Sequence, residues 1–327
     1  MSLIPTIYSS TDAGAPALSG TAGSLAAIFD AILVDGYGTG PSAKAPLGWT
    51  RPFSATNQRA YRNNPVTGTG LYVALDDTTA QYAQFRGYET MSAVNAGTNP
   101  FPTIAQFANG SLVPKSSAAS SAVRAWWAMG NERSLYFFLD AQNLGMGFAI
   151  PHFVGDIDSL VPGDGYRFLV SATALTTYTG TYNADRTMFA GGTSHRMGST
   201  GSIQFPCAFV ARAYNLATTS PVIGCLGTSM AGPSNLQGWG DHGAPYPSII
   251  NGGLLYERGI MFEGEFKPRG QMPGLLVPLH PQPLPDLGTL SVPVGSSSVQ
   301  VVGKRYRGRF ASNNIDGQVL LITGREW

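Results

Sequence analysis

Glycine and proline are spread along the whole chain, and this feature most limits what the chain can fold into. The 327 residues include 41 glycines and 23 prolines, whereas charged residues make up only 12%. Because glycine and proline favour turns and interrupt helices, long helices are excluded over most of the sequence. Hydrophobic residues still amount to 43%, a level typical of a folded core and not of a disordered chain. We therefore predict a mainly β fold of antiparallel, sandwich-like sheets joined by long loops rich in glycine, proline and serine.

One segment near the N-terminus has the spacing of a helix instead. Apolar residues recur there at intervals of three and four, at Leu25, Ile28, Phe29, Ile32 and Leu33. This spacing predicts one N-terminal helix of about three turns that packs an apolar face on a sheet. Ser24 is placed to cap the start of this helix, and Gly36 is placed to end it.

Two pairs of short, aromatic-rich segments are typical of β-hairpins. Residues 71–75 (LYVAL) and 81–89 (QYAQFRGYE) flank a turn that begins with the aspartates at 76–77. Residues 122–130 (AVRAWWAMG) and 134–140 (SLYFFLD) form a second pair with more aromatic rings. We expect the rings of the second hairpin in the densest part of the core.

The middle of the chain contains a possible domain boundary. Residues 176–202 are polar, rich in small side chains and without periodicity, as expected for a long loop or a junction. We therefore predict an N-terminal helix plus β domain at residues 1–175 and a second β-rich domain with long loops at residues 176–327. A single continuous domain is the alternative.

Positive and negative charges almost balance along the chain. There are 20 lysines and arginines against 19 aspartates and glutamates, a formal net charge of +1. Because such a chain has no field to attract a polyanion, we expect no nucleic-acid partner. We also expect no membrane insertion, because no run approaches the ~20 apolar residues of a spanning helix. So few charges limit the solubility of a free monomer, which favours burial of surface in an assembly.

Two groups of residues would suggest catalysis. The sequence GTSMAGP at 227–233 matches the nucleophile motif of subtilisin-like proteases, but the aspartate and histidine segments that such enzymes need upstream are missing. Glu257, Glu263 and Glu265 would supply the carboxylate pair of a glycosidase, yet the same spacing is typical of an ordinary solvated strand. We therefore expect no enzymatic activity and no catalytic residues.

Metal ligation is not expected either. No pair of histidines has the spacing of a zinc site. The four histidines are His152, His195, His242 and His280. Asp156, Asp158 and Asp164 carry the oxygen atoms that calcium prefers, but aspartates in such a segment are typical of turns. We predict no metal and no cofactor.

The only basic cluster of the sequence lies within a predicted strand near the C-terminus. Its members are Lys304, Arg305, Arg307 and Arg309, interleaved with Tyr306 and Phe310. Because side chains alternate along a strand, the three arginines share one face and the rings share the other. Arginine forks suit the carboxylates of a neighbouring subunit, so we predict a subunit contact at Arg305, Arg307 and Arg309. A solvated outer face is the alternative.

Five phrases, spread in order from residue 19 to residue 284, point to a family. They are SGTAGSLAAIFDAILVDGYG (19–38), GWTRPFSATNQRAYR (48–62), FRGYETMSAVNAGTNPFPT (85–103), FVGDIDSLVPGDGYRFLV (153–170) and RGQMPGLLVPLHPQPL (269–284). In these phrases the chain resembles a family of tailed-bacteriophage virion structural proteins. The resemblance implies a virion component of the tail tip or baseplate and carries over no catalytic residues.

These observations lead to one expected function and two alternatives. We expect a structural subunit of a tailed-phage particle, assembled in the host cytoplasm and located in the virion. Its expected partners are other virion proteins and copies of itself, and the host cell surface is a further candidate. The alternatives are a capsid decoration protein and a host-surface carbohydrate-recognition module. For that module, the candidate stacking platforms are Trp49, Trp126, Trp127 and Trp239.

Overall fold

The protein is described here by a computed structural model. It describes residues 3–171, 208–217, 219, 221–226, 245–263, 267–280, 282–310 and 313–327. For residues 222–226, 308–310 and 313–316 it describes the backbone but not the side chains. The described chain is mainly β, with antiparallel sheets and one N-terminal helix, which confirms the predicted fold class. The predicted loop at 176–202 lies outside the described residues.

The strands are short in the first half of the chain and longer near the C-terminus. They are β1 Thr6–Ser9, β2 Thr50–Ala55, β3 Gln58–Arg62, β4 Tyr72–Asp76, β5 Tyr82–Tyr88, β6 Thr90–Ala93, β7 Ala96–Thr98, β8 Ser111–Pro114, β9 Trp126–Gly130, β10 Ser134–Leu139, β11 Ile150–Asp156, β12 Asp158–Ser159, β13 Phe168–Ser171, β14 Ala208–Val210, β15 Val222–Leu226, β16 Tyr256–Glu263, β17 Lys267–Pro278, β18 Thr289–Val294, β19 Ser297–Phe310 and β20 Asn313–Thr323. Two single turns of 3-10 helix span Gly40–Ser42 and Met146–Phe148.

The strands form one long sheet, one shorter sheet and one small hairpin. The 13-stranded sheet has the order β1-β9-β10-β11-β13-β14-β15-β16-β17-β20-β19-β18, with β12 added beside β17. The five-stranded sheet has the order β2-β3-β4-β5-β8, and β6 pairs only with β7. Strands from residues 1–175 and from residues 176–327 belong to the same long sheet, and the division into two domains stays a prediction.

The helix occupies the predicted residues, but its start differs from the prediction. Helix α1 spans Ser24–Phe29 and continues as a π-helical segment over Asp30–Asp35. Ser24 is not the N-cap, because Gly23 holds that position with a φ of 83°. The oxygen that caps the helix comes from far along the chain, since Asp77 Oδ2 accepts hydrogen bonds from the first backbone N–H groups.

Both predicted hairpins are confirmed. Strand β4 pairs with β5, and β9 pairs with β10, each in an antiparallel register. Alternate rings of the second hairpin enter two different cores: Trp126 and Phe137 pack with the helix, whereas Trp127 and Phe138 pack on the other side. The hairpin is therefore buried on both faces.

The two cores define three layers. Helix α1 and the five-stranded sheet cover one face of the β9–β14 part, where the Phe29 ring lies 5.1 Å from Phe137 and 5.3 Å from Phe85. The opposite face packs on residues of β16, β17, β19 and β20, such as Met261 and Tyr306. The long sheet therefore folds over itself and places β19 near the start of β11. No described helix is long and apolar enough to cross a membrane.

Candidate assembly surface

The predicted arginine strand is β19, which pairs with β20 from Gln300 to Phe310. The register places Tyr306 opposite Gly317 and Arg307 opposite Asp316. Lys304 and Tyr306 are fully buried, whereas the alternating Arg305 and Arg307 are partly exposed. Gly317 makes room for the Tyr306 ring, because a Cβ there would lie 2.3 Å from the Tyr306 hydroxyl oxygen. The strand therefore has one buried face and one partly exposed face, as its alternation predicts.

Lys304 joins two loops beneath this strand. Its Nζ donates to Asp286 Oδ1 at 2.8 Å and to the Met146 carbonyl at 2.6 Å. Burial lowers the pKa of Lys304, and the nearby Asp286 carboxylate opposes that shift. The 3-10 turn at Met146–Phe148 and the loop at Asp286 are thus fixed on the same lysine.

Arg305 is engaged within the chain. Its Nε and Nη2 donate to the Leu284 carbonyl at 3.0 and 2.8 Å, and its backbone N–H donates to Asp286. The guanidinium therefore fixes the loop that precedes β18. A change at this residue would disturb that loop as well as the surface.

Arg307 forms part of an exposed mixed surface. Its guanidinium carbon lies 4.0 Å from the centroid of the Phe148 ring, in a cation–π contact. Phe148 is 38% exposed, and its loop neighbour Leu144 is 47% exposed. Leu287 is 41% exposed, and its backbone N–H donates to the Gly303 carbonyl on β19. We name Arg307, Phe148, Leu144 and Leu287 the arginine–aromatic patch.

Arg309, the third arginine of the predicted contact, is placed only by its backbone, which pairs with Asn314. Its side chain lies outside the described atoms. The structure thus brings Arg305 and Arg307 together on one strand. Sequence reasoning missed Phe148 and Leu144, because nothing in the pattern of β19 shows which distant loop covers it.

Glu263 is not on a solvated strand face, so that interpretation was wrong. It is 4% exposed, and its Oε1 lies 2.9 Å from the Nε of Arg269, which is fully buried. Arg269 has a second carboxylate partner, Asp164, whose Oδ2 lies 2.5 Å from Nη2. Burial raises the pKa of Glu263. Glu257 is exposed, and Glu265 and the GTSMAGP segment lie outside the described residues.

The aspartates of the 156–164 segment do more than form turns. Asp164 does accept the Tyr166 backbone N–H, as a turn residue would. Asp156 is buried and accepts hydrogen bonds from Asn63 and Thr69, which come from a distant part of the chain. Burial raises the pKa of Asp156. These carboxylates hold separate segments together.

The described histidines are core residues, and so are the described tryptophans other than Trp327, which is partly exposed. His152 is stacked 4.9 Å from the Phe137 ring, and burial lowers its pKa to about 3. His280 is buried and accepts the Leu255 backbone N–H through Nε2 at 2.7 Å. Three proposed stacking platforms are buried and cannot bind a sugar in this conformation: Trp49, Trp126 and Trp127. His195, His242 and Trp239 lie outside the described residues.

A second buried lysine was also missed. Lys115 and Asp77 are both fully buried and form an ion pair. Burial raises the pKa of Asp77 and lowers the pKa of Lys115, and each group opposes the shift of the other. The sequence carries no signal for this pair, because Asp77 lies in a predicted turn and Lys115 has no charged residue near it in the sequence.

Comparisons with known proteins leave the family open. No protein-family model matches the chain, and no curated protein matches it at a significant level. Within the described ranges, no group of three or more histidine, cysteine, aspartate or glutamate side chains is placed to hold a metal ion. The arginine–aromatic patch contains Arg307, one of the three arginines of the predicted subunit contact.

Proposed function

We propose that the protein is a structural subunit of a tailed-phage particle that acts through contacts with neighbouring virion proteins, including copies of itself. The position that fits the resemblance is the tail tip or baseplate. Five sequence phrases support this proposal by their resemblance to virion structural proteins. The low share of charged residues, 12%, supports it independently, because surface burial in an assembly offsets poor solubility.

The observation that carries the proposal is the arginine–aromatic patch. Exposed aromatic and arginine side chains are enriched in the centres of protein interfaces relative to other surfaces. The Arg307 guanidinium lies over the Phe148 ring, and Leu144 and Leu287 are exposed on the two loops that Lys304 joins. A preformed patch loses little conformational entropy when a partner binds.

Arg307 is the residue at which the proposal is tested. Arg307→Glu reverses the charge at each symmetric copy of the contact, so repulsion is repeated throughout the assembly. We expect this variant to fold and to accumulate at the wild-type level but to be missing from purified particles. The measurement is an immunoblot of particles from a genome in which the variant replaces the native chain.

Arg258→Glu is the matched control. Arg258 is an exposed arginine on β16 of the same sheet, away from the patch. We expect this variant to enter particles normally. Normal incorporation of Arg307→Glu would reject the patch as a contact, and absence of the wild-type chain from every particle would reject the virion function itself.

The same particles distinguish the two virion positions. After heads and tails are separated, the tail-tip or baseplate position predicts the chain in the tail fraction. Recovery with the heads would instead support a capsid decoration protein.

A further inference from the structure

Asp77 and Lys115 emerge at the same end of the five-stranded sheet. Strands β4 and β8 both pair antiparallel with β5 and therefore run in the same direction on either side of it. Asp77 follows the last residue of β4, and Lys115 follows the last residue of β8. The two side chains meet under the start of α1, where both are 0% exposed.

The two carboxylate oxygens of Asp77 contact different groups. Oδ2 accepts the backbone N–H of Leu25 at 2.8 Å and that of Ala26 at 3.0 Å. Oδ1 contacts Nζ of Lys115. Nζ also donates to the Thr21 carbonyl at 2.6 Å. The amine thus faces a carboxyl group whose far oxygen is held by two fixed donors.

This arrangement contains the elements of an acyl-transfer site. Two backbone N–H groups on one oxygen stabilise the negative charge that develops there when a nucleophile adds to the carbon. Burial favours the neutral amine and the neutral acid, which are the reactive forms, and the pKa shifts of both groups have that direction. The two groups are also held in contact, which removes the entropy cost of bringing them together.

We propose that Lys115 and Asp77 join through a side-chain amide bond. Nζ of Lys115 attacks Cγ of Asp77, so that an N–C bond forms and the Cγ–Oδ1 bond breaks. One proton passes from Nζ to Oδ1 before the attack and gives the neutral amine and the neutral acid. A second proton passes to Oδ1 after the attack, so that Oδ1 leaves as water and the positive and negative charges of the pair disappear together. No oxidant, reductant or further reactant is needed.

The product keeps the hydrogen bonds of the pair. The amide oxygen is Oδ2, which still accepts from Leu25 and Ala26, and the remaining N–H still donates to the Thr21 carbonyl. The bond would close residues 77–115 into a loop and fix β4, β8 and the start of α1 together. This inference does not depend on the proposed virion function.

A second lysine–aspartate pair provides an internal comparison. Lys304 is buried, but the Asp286 side chain is 22% exposed. Both Asp286 oxygens face Nζ of Lys304, at 2.8 and 3.0 Å, and Oδ1 also accepts the Arg305 N–H. Among the described contacts, no pair of N–H groups holds the second oxygen. We therefore expect one amide bond in the protein and not two.

Intact-protein mass spectrometry of the purified full chain under denaturing conditions tests the proposal. The wild-type mass is expected to be lower than the sequence mass by one water molecule. After protease digestion, fragment spectra are expected to show a branched peptide that joins Asp77 to Lys115. A wild-type mass equal to the sequence mass after prolonged storage would overturn the proposal, as would a branched peptide at other residues.

Two variants check the assignment. Lys115→Arg keeps the positive charge but cannot form the amide, so its mass is expected to equal its own sequence mass. Lys304→Arg is the matched control and is expected to show the same deficit of one water as the wild type. If Lys115→Arg fails to fold, the branched peptide of the wild type still decides the question. A deficit that persists in Lys115→Arg would contradict the proposed bond.

Discussion

Arg269 lies at the centre of a buried charge cluster that joins three separate segments. Replacing Arg269 is the sharpest test of how much this cluster stabilises the fold. The Arg269 guanidinium is fully buried between Asp164 and Glu263, and its Nη1 donates to Ser159 Oγ at 2.5 Å. Arg269→Met keeps most of the side-chain volume but leaves two buried carboxyl groups without their cation. We therefore expect a large loss of stability.

Removing one partner of a buried ion pair typically costs about 3–5 kcal/mol, because the remaining charge stays buried. For a chain of 327 residues, an unfolding entropy of about 2.1 cal/mol/K per residue converts this cost into a fall of roughly 4–7 °C in Tm. The assay is urea denaturation followed by tryptophan fluorescence, with calorimetry for Tm.

The triple variant Arg269→Met, Asp164→Asn, Glu263→Gln distinguishes two contributions to the loss of stability. One is the loss of the ion-pair attraction, and the other is the cost of leaving unpaired carboxylates buried. Because the triple variant removes the two carboxylates together with the cation, it is expected to recover a large part of the stability lost in Arg269→Met. A loss below about 1 kcal/mol in Arg269→Met would show that the cluster is solvated and would refute this account of it.

Two further predictions concern the β9–β10 hairpin and the neighbouring strand β11. His152 has a pKa of about 3 in the folded protein against 6.5 when unfolded, so the unfolded state binds the proton first and stability falls as pH drops below about 6.5. His152→Leu is expected to flatten the fall in unfolding free energy between about pH 6.5 and pH 4, and an unchanged slope would contradict the buried neutral histidine. Trp126→Ala and Trp127→Ala are each expected to cost roughly 3–5 kcal/mol in urea denaturation, because their rings fill different cores. Unchanged stability in both would support exposed recognition rings instead.

Local patterns predicted the elements well. Both hairpins are defined by short turns between aromatic segments, and the helix follows its three-and-four spacing, so each depends on neighbouring residues only. The helix cap could not be predicted in this way. The oxygen that caps it belongs to Asp77, 52 residues beyond Leu25, whereas Ser24 was the local candidate.

The charged residues show the same limit more strongly. Glu263, Asp164 and Lys304 look like surface or turn residues in the sequence, because charged side chains are rarely buried without a partner. Their partners come from distant segments, and the folding of the long sheet over itself brings them together. Sequence alternation correctly placed Arg305 and Arg307 on one strand, but it could not show that Phe148 lies beneath Arg307.

Quantitative mass spectrometry of purified particles, from a phage genome that encodes this chain, tests the central claim most directly. A structural subunit predicts the chain in several copies per particle, at a constant ratio to the other tail proteins in independent preparations. The claim would be contradicted if the chain accumulated in the lysate while the purified particles contained none of it.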